Sequence, residues 1–223
     1  AQRLLDVFAA AGMRTETTSA HWLGKAYEGD LFVDVIFSAG NGVADVDDAW
    51  FEHAVDAEVL GLPAKLIPPE EMIWSKGFVM ERERYDGADI NHLLRTRAQT
   101  LDWRRLLARF AGHWRVLLSH LTLFGYVYPG HRHFVPDWVM NELMGHMRQE
   151  LSGPSVRSDL CQGTFLSRAQ YLVDIQRWGY KDGRLSPTGD LTEEHVTAWT
   201  DAIDHGMAQP PILSEECDPE AEP

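Results

Sequence analysis

The spacing of apolar and polar residues predicts a helix, then strands, then a longer helical region. Apolar side chains recur at helical intervals from Leu4 to Ala11, and Gly12 is placed to end this first helix. Thr-rich or apolar runs bounded by turn residues predict strands at 15–26, 31–37 and 59–67. Pro63 interrupts the last run, which is expected to be one short strand.

From residue 68 onward the pattern is helical. The PPEE sequence places prolines and glutamates in a first helical turn, where the acids complement the helix dipole. Helical segments are predicted at 72–83, 87–97, 101–110, 114–126, 136–151, 167–178 and 192–206. The Ser, Gly and Pro content of 152–167 predicts a linker.

These patterns divide the chain into four parts and predict an α+β fold. Residues 1–67 are expected to form a small unit of strands and helix, and 68–151 a helical domain. Residues 152–208 are expected to be a helical extension, and 209–223 a disordered acidic tail. Because the helical pattern has already begun at the first residue without a cap, the domain is expected to start upstream of Ala1.

Charge and composition narrow the possible functions. The 223 residues carry a formal net charge of −14, which argues against a general nucleic-acid coat and against an anionic-membrane binder. Two cysteines give neither a disulfide framework nor a zinc spacing, and no apolar run reaches the length of a membrane helix. The sequence therefore predicts a soluble cytoplasmic protein without membrane partners.

Asp34 is the most informative single residue. It lies in the middle of LFVDVIF, an otherwise apolar strand, where an unpaired carboxylate is costly to bury. Such a residue is either a solvent-facing or paired member of an alternating strand, or it points at a metal ion or another cation. The strand alone does not decide between these readings.

A second group of charged residues follows Lys76. On one continuous helix Arg82, Asp86 and Asp89 would share a face, since they are spaced at i, i+4 and i+7. A lysine and arginines beside carboxylates suit a polyphosphate held with a divalent metal. The alternative is a salt-bridged, solvated helix face, which is the usual role of a charge run.

Three segments carry a resemblance to bacterial nucleotidyltransferase family proteins. They are HWLGKAYEGDLFVDVIFSAGNG, PPEEMIWSKGFVMERERYDGADINHLL and CQGTFLSRAQYLVDIQRWGY. The chain is similar to members of the DNA polymerase β-type superfamily, including abortive-infection nucleotidyltransferase toxins. The resemblance implies that residues 1–67 form part of a nucleotidyltransferase palm, a short mixed sheet with a helix, followed by a mainly helical region.

The resemblance also implies roles for individual residues. Asp34 would be the third catalytic, Mg²⁺-binding carboxylate of such a palm. Lys76 would bind phosphate, and the downstream basic–acidic segment would add Arg84, Asp86 and Asp89, with Arg82 as a further nucleotide-binding cation. The substrate would be an NTP, with ATP as the first candidate, and the acceptor a protein, a tRNA end or a small molecule.

The departure from the family pattern affects the expected activity. The chain lacks the Gly-rich turn with its Asp-x-Asp pair, which in such palms precedes the helix that the first twelve residues resemble. Without two of three carboxylates, this polypeptide alone is expected to have little or no transferase activity. The alternatives are a non-catalytic nucleotide sensor or scaffold with a degenerate palm, and a helical partner-binding module anchored by Trp103, Trp114 and Trp138.

Overall fold

The computed structural model describes residues 2–19, 22–39, 41–154, 159–167 and 169–197. The predicted acidic tail at 209–223 and the second half of the predicted helix at 192–206 lie outside these residues. Inside them, the mixture of helices and small sheets confirms the α+β class.

The N-terminal unit is a helix packed on a three-stranded antiparallel sheet. The elements are α1 (Gln2–Ala10), β1 (Arg14–Ser19), β2 (Leu23–Glu28) and β3 (Leu31–Ile36), in the sheet order β1-β2-β3. Leu5 is the buried residue of α1 and packs beside Gly24 of β2. The predicted strand at 15–26 is thus two strands, while the predicted helix and the strand at 31–37 are confirmed.

A second antiparallel hairpin follows the short helix α2 (Ala49–Glu52). Its strands are β4 (Val55–Val59) and β5 (Leu62–Leu66). The strand predicted at 59–67 corresponds to β5, but it starts three residues later because Leu60 and Gly61 have positive φ and form the two-residue turn after β4. Strand β4 was not predicted. The expected mixed sheet is also absent from the described part of 1–67, since strands joined by tight turns pair antiparallel.

Helices form the middle of the chain and enclose the main core. They are α3 (Pro69–Gly77), α4 (Gly87–Arg97), α5 (Trp103–Phe110), α6 (Trp114–Val127) and α7 (Asp137–Ser152). The α5 N-terminus is capped by Asp102, whose carboxylate accepts a hydrogen bond from the Arg105 amide. Fully buried apolar side chains from these helices form one cluster, including Ile73, Ile90, Leu94, Leu106, Phe110, Leu117, Phe124, Val139 and Leu143.

The predicted helix at 72–83 ends six residues early. Its last carbonyl, that of Gly77, accepts a hydrogen bond from the buried His120 ring at 2.9 Å, which satisfies a helix-terminal acceptor. Residues 78–86 instead form a turn closed by a bridge between Met80 and Tyr85. Arg82 and Asp86 are therefore not on one continuous helix, because α4 starts only after Asp86.

The C-terminal segment is more structured than a linker. Residues in the predicted 152–167 linker include β6 (Leu160–Cys161), which pairs in parallel with β7 (Lys181–Asp182), and a 3₁₀ turn whose Phe165 is buried. The helix predicted at 167–178 is only α8 (Leu172–Gln176). Residues 193–197 are helical.

Candidate functional site

A cavity of about 420 Å³ lies where the N-terminal unit meets the helical region. Its walls come from the ends of β2 and β3, the loop that follows β3, helices α2 and α3, and the segment after the 3₁₀ turn at 163–165. Much of the lining is apolar or aromatic, including Trp22, Ile36, Trp50, Phe51, Phe78 and Phe165. Its volume is within the range of small-molecule sites.

Hydrogen bonds fasten the C-terminal segment to the loop of this cavity. The buried Asn41 side chain donates to the Phe165 carbonyl at 3.1 Å, and its oxygen accepts from the Val43 amide at 3.0 Å. The Met80 amide donates to the Leu166 carbonyl. The segment expected to be a linker therefore completes the cavity wall, and its position depends on contacts over long sequence distances.

One wall of the cavity is charged. Lys76 from α3 lines it together with Arg84 and Asp86 from the turn before α4. The Lys76 ammonium donates to Asp86 at 2.9 Å and to Asp89 at 2.7 Å, and Arg84 donates to Asp86 through two nitrogens at 3.2 and 3.3 Å. The structure thus joins four of the six predicted site residues in one cluster.

The contacts within the cluster favour the ionised forms of Lys76 and Asp86. Burial acts against the charge of Lys76, but hydrogen bonds from its ammonium to Asp89 and Asp86 outweigh it and raise the lysine pKa. Burial likewise acts against the Asp86 carboxylate, but Arg84 and Lys76 outweigh it and lower its pKa. Two cations and two anions therefore face one another, and an incoming anion has to compete with the carboxylates.

The other two predicted residues lie apart from this cluster. Arg82 is exposed, donates to Glu83 at 2.7 Å, and does not line the cavity. Asp34 forms an ion pair with Lys25, its register partner on β2, at 3.3 Å. It lies on the same sheet face as Ile36, the cavity-lining residue two positions later, but is not itself part of the lining.

An Asp-x-Asp spacing occurs at a position that the sequence interpretation overlooked. Asp45 and Asp47 flank Val46, which lines the cavity. Both carboxylates have partners, since Asp45 accepts from the Ser38 hydroxyl and Asp47 accepts from both terminal nitrogens of Arg109 at 2.6 and 2.9 Å. The bond from Arg109 is the main reason that the Asp47 pKa is lowered.

The residues do not fit a magnesium ion by themselves. In the part of the chain that the structure describes, no group of three or more His, Cys, Asp or Glu side chains is placed to hold a metal. Asp34, the carboxylate expected to bind Mg²⁺, is paired with a lysine instead. A divalent ion here would need carboxylates that these residues do not bring together.

A buried ion-pair network joins α5 to α3, the helix that carries Lys76, and was not predicted from the sequence. Glu71 is fully buried and accepts from Arg105 at 3.0 Å to each oxygen and from Arg109 at 3.2 Å. Glu70 is also buried and accepts from Arg105. Arg105 and Arg109 are spaced i, i+4 on α5, which was the available signal, but the sequence does not show which acids they meet.

The three tryptophans considered as partner anchors have different environments. Trp103 is buried, and its indole nitrogen donates to the Ala98 carbonyl at 2.9 Å. Trp114 is partly buried and stacks on His146, whereas Trp138 is 40% exposed beneath the Arg104 guanidinium. They therefore do not form one exposed aromatic surface.

Comparison with known proteins identifies no relative of this chain. No protein-family model, no curated protein sequence and no solved structure matches the chain. Within the described residues, no helix combines the length and the apolar character needed to cross a bilayer. The cavity and its charged wall are therefore the features that indicate a function.

Proposed function

We propose that the cavity binds a nucleoside triphosphate, with ATP as the first candidate. The polyphosphate lies against Lys76 and Arg84, and the base occupies the aromatic part of the cavity. The reaction that the resemblance to nucleotidyltransferases implies is transfer of a nucleoside monophosphate to an acceptor. The acceptor is a protein, a tRNA end or a small molecule, and the cytoplasmic nucleotide pool supplies the substrate.

One observation carries this proposal. Lys76, Arg84 and Asp86, which were selected from the sequence as phosphate-site residues, line the same cavity as Trp22, Phe51 and the other aromatic side chains. A charged wall that contains two cationic donors, beside an apolar wall, matches the two chemical halves of a nucleotide, since phosphates need donors and a base needs flat apolar contacts.

The charge balance of the wall predicts how a nucleotide enters. Asp86 and Asp89 neutralise Lys76 in the free protein, so a triphosphate replaces these carboxylates as the lysine's partner. Arg84 is 59% exposed, which allows its guanidinium to turn toward a phosphate at low cost. The proposal thus assigns phosphate binding to Lys76 and Arg84.

The proposal for this chain is binding, and it derives no chemical step through a metal ion. Asp34 lies on the cavity side of β3, where a further set of carboxylates would be needed before it could act in catalysis. The further carboxylates that a Mg²⁺ ion would need are not brought together by the described residues.

A second function has its own supporting observation. The pairing of Asp34 with Lys25, together with the lack of a three-ligand metal cluster among the described residues, favours a nucleotide-sensing scaffold with a degenerate palm. Asp34→Asn separates the two functions in a full-length preparation. A catalytic carboxylate predicts lost pyrophosphate release with little change in stability, since an exposed ion pair contributes at most about 1 kcal/mol.

Isothermal calorimetry with ATP tests nucleotide binding. Lys76→Gln and Arg84→Gln should each weaken binding by about tenfold, because each removes one charge-assisted phosphate contact. Lys181→Gln is the matched control, since Lys181 is exposed, forms an ion pair with Asp159 and does not line the cavity. Equal affinity of the wild type and both cavity variants, or no binding of any NTP, would reject the proposal.

A further inference from the structure

A line of cationic and aromatic side chains crosses the surface between α4 and the 3₁₀ turn at 129–134. The Arg95 guanidinium lies 5.9 Å from the Tyr128 ring centre, and Tyr128 lies 6.1 Å from the His131 ring. The centre of the Phe134 ring lies 4.8 Å from that of His131 and 4.9 Å from that of His133. We call these five residues together with Arg132 the basic–aromatic strip.

The strip belongs to a locally positive part of an acidic chain. Residues 90–136 contain seven arginines and five histidines but one acid, Asp102, whereas the whole chain has a net charge of −14. Asp102 caps α5 and is therefore engaged with the backbone. This region presents positive charge that the average composition conceals.

The arginines of the strip have no acidic partner among the described residues. Arg95 and Arg132 form no ion pair with any residue that the structure describes, although Arg105, Arg109 and Arg115 in the same region do. Arg95, His131, Arg132 and His133 are all exposed. The positive charges of the two arginines are thus available to a polyanion at low desolvation cost.

We propose that the basic–aromatic strip binds a single-stranded nucleic acid. Arg95 and Arg132 contact phosphates, and a base stacks on the exposed His131 ring, which packs against the partly buried rings of Tyr128 and Phe134. Single-strand binding surfaces combine these two features, since cations follow the backbone and aromatic rings accept bases without sequence preference. This inference goes beyond nucleotide binding in the cavity and does not depend on it.

The position of the strip separates it from the cavity. Helix α4 begins beside the charged wall with Asp89 and reaches the strip at Arg95, six residues and about 9 Å farther along the helix. None of the six strip residues lines the cavity, so the strip is a separate site.

Another acidic surface competes as the occupant. Residues 28–71 carry eleven acids and one lysine, so this region of a second copy offers opposite charge. It offers no row of flat bases for the aromatic side chains, which is why the nucleic acid fits better. An interface between two copies of the chain would appear as a salt-sensitive oligomer.

Fluorescence anisotropy with a labelled 12-nucleotide oligouridylate tests the strip. The double variant Arg95→Gln/Arg132→Gln should bind at least about tenfold more weakly in low salt. It should also reduce the slope of log affinity against log salt by about 1.4, since about 0.7 is lost for each phosphate contact to a single strand. Arg3→Gln/Arg148→Gln removes the same charge from exposed positions elsewhere and should bind like the wild type.

Stacking is tested separately by His131→Ala, which keeps both arginines and should weaken binding several-fold. Absence of oligonucleotide binding by the wild type would overturn the proposal, as would an equal loss in the Arg3/Arg148 control. Sedimentation velocity detects the competing arrangement. A salt-sensitive oligomer of the wild type that the Arg95/Arg132 variant loses would make the strip a self-interface and overturn the proposal.

Discussion

Glu71 offers the sharpest test of how the structure is held together. Its carboxylate is fully buried and accepts three hydrogen bonds, two from Arg105 and one from Arg109. In Glu71→Gln the new amide keeps one acceptor oxygen, while its NH₂ group faces guanidinium donors. One Glu71 oxygen accepts from both arginines, so an amide oxygen in its place keeps two of the three hydrogen bonds. The loss is then one hydrogen bond to a charged group, together with the buried negative charge that both guanidinium groups face.

The magnitude follows from that count and from what the arginines retain. Hydrogen bonds to charged groups contribute about 1.5–3 kcal/mol each, and breaking a buried ion pair costs about 3–5 kcal/mol. Arg105 keeps Glu70 and Arg109 keeps Asp47, which limits the loss. We therefore expect Glu71→Gln to lower the free energy of unfolding by about 3 kcal/mol.

Urea unfolding followed by tryptophan fluorescence measures this change without adding ionic strength. Glu150→Gln is the control, because its ion pair with Arg115 is exposed and contributes about 1 kcal/mol or less. A Glu71→Gln loss as small as that of Glu150→Gln would refute the buried network. A double-mutant cycle between Glu71 and Arg105 should give a coupling energy of at least about 1 kcal/mol.

Three further predictions follow from the described contacts. The pKa of Asp86 is lower in the folded than in the unfolded protein, so the ionised side chain stabilises the fold above its unfolded pKa of about 3.9. This stabilisation is lost as the pH falls through the folded-state pKa, and Asp86→Asn should reduce the fall in Tm over that acid range. The pKa of His120 is lowered, mainly by burial, so the unfolded chain binds a proton below about pH 6.5 where the folded protein does not. Stability therefore declines as the pH falls below about 6.5, and His120→Gln should flatten the profile of Tm against pH there. Gly77→Ala would place its Cβ 2.8 Å from the Phe110 ring and should lower the free energy of unfolding in urea by about 1–3 kcal/mol. Gly145→Ala, in the interior of α7, meets no atom within 4 Å and should raise that free energy by about 0.5–1 kcal/mol. Equal effects of the two alanines would contradict the packing described at Gly77.

The helical elements could be predicted from the sequence because their information is local. The pattern at 87–97 predicted α4 at its observed bounds, since its buried residues recur at helical spacing. The turn at 78–86 could not be predicted. It depends on the bond between His120 and the Gly77 carbonyl, which joins residues 43 positions apart.

The candidate site was predictable in part for the same reason. Lys76, Arg84, Asp86 and Asp89 are close in sequence, so local spacing brought them into one cluster even though the helix was broken. Phe165 was missed because it reaches the cavity through a segment of loop-like composition, held by a bond to Asn41 across 124 positions. The partners of Arg105 and Arg109 were missed for a similar reason.

Hydrogen–deuterium exchange with and without ATP tests the central claim most directly, because it locates the bound nucleotide on the chain. A nucleotide in the cavity should slow exchange in residues 75–86 and 41–46, which form its charged and loop walls. Lys76→Gln should greatly reduce this protection when the ATP concentration is close to the dissociation constant of the wild type. Protection confined to other segments, or none at saturating ATP, would contradict the account.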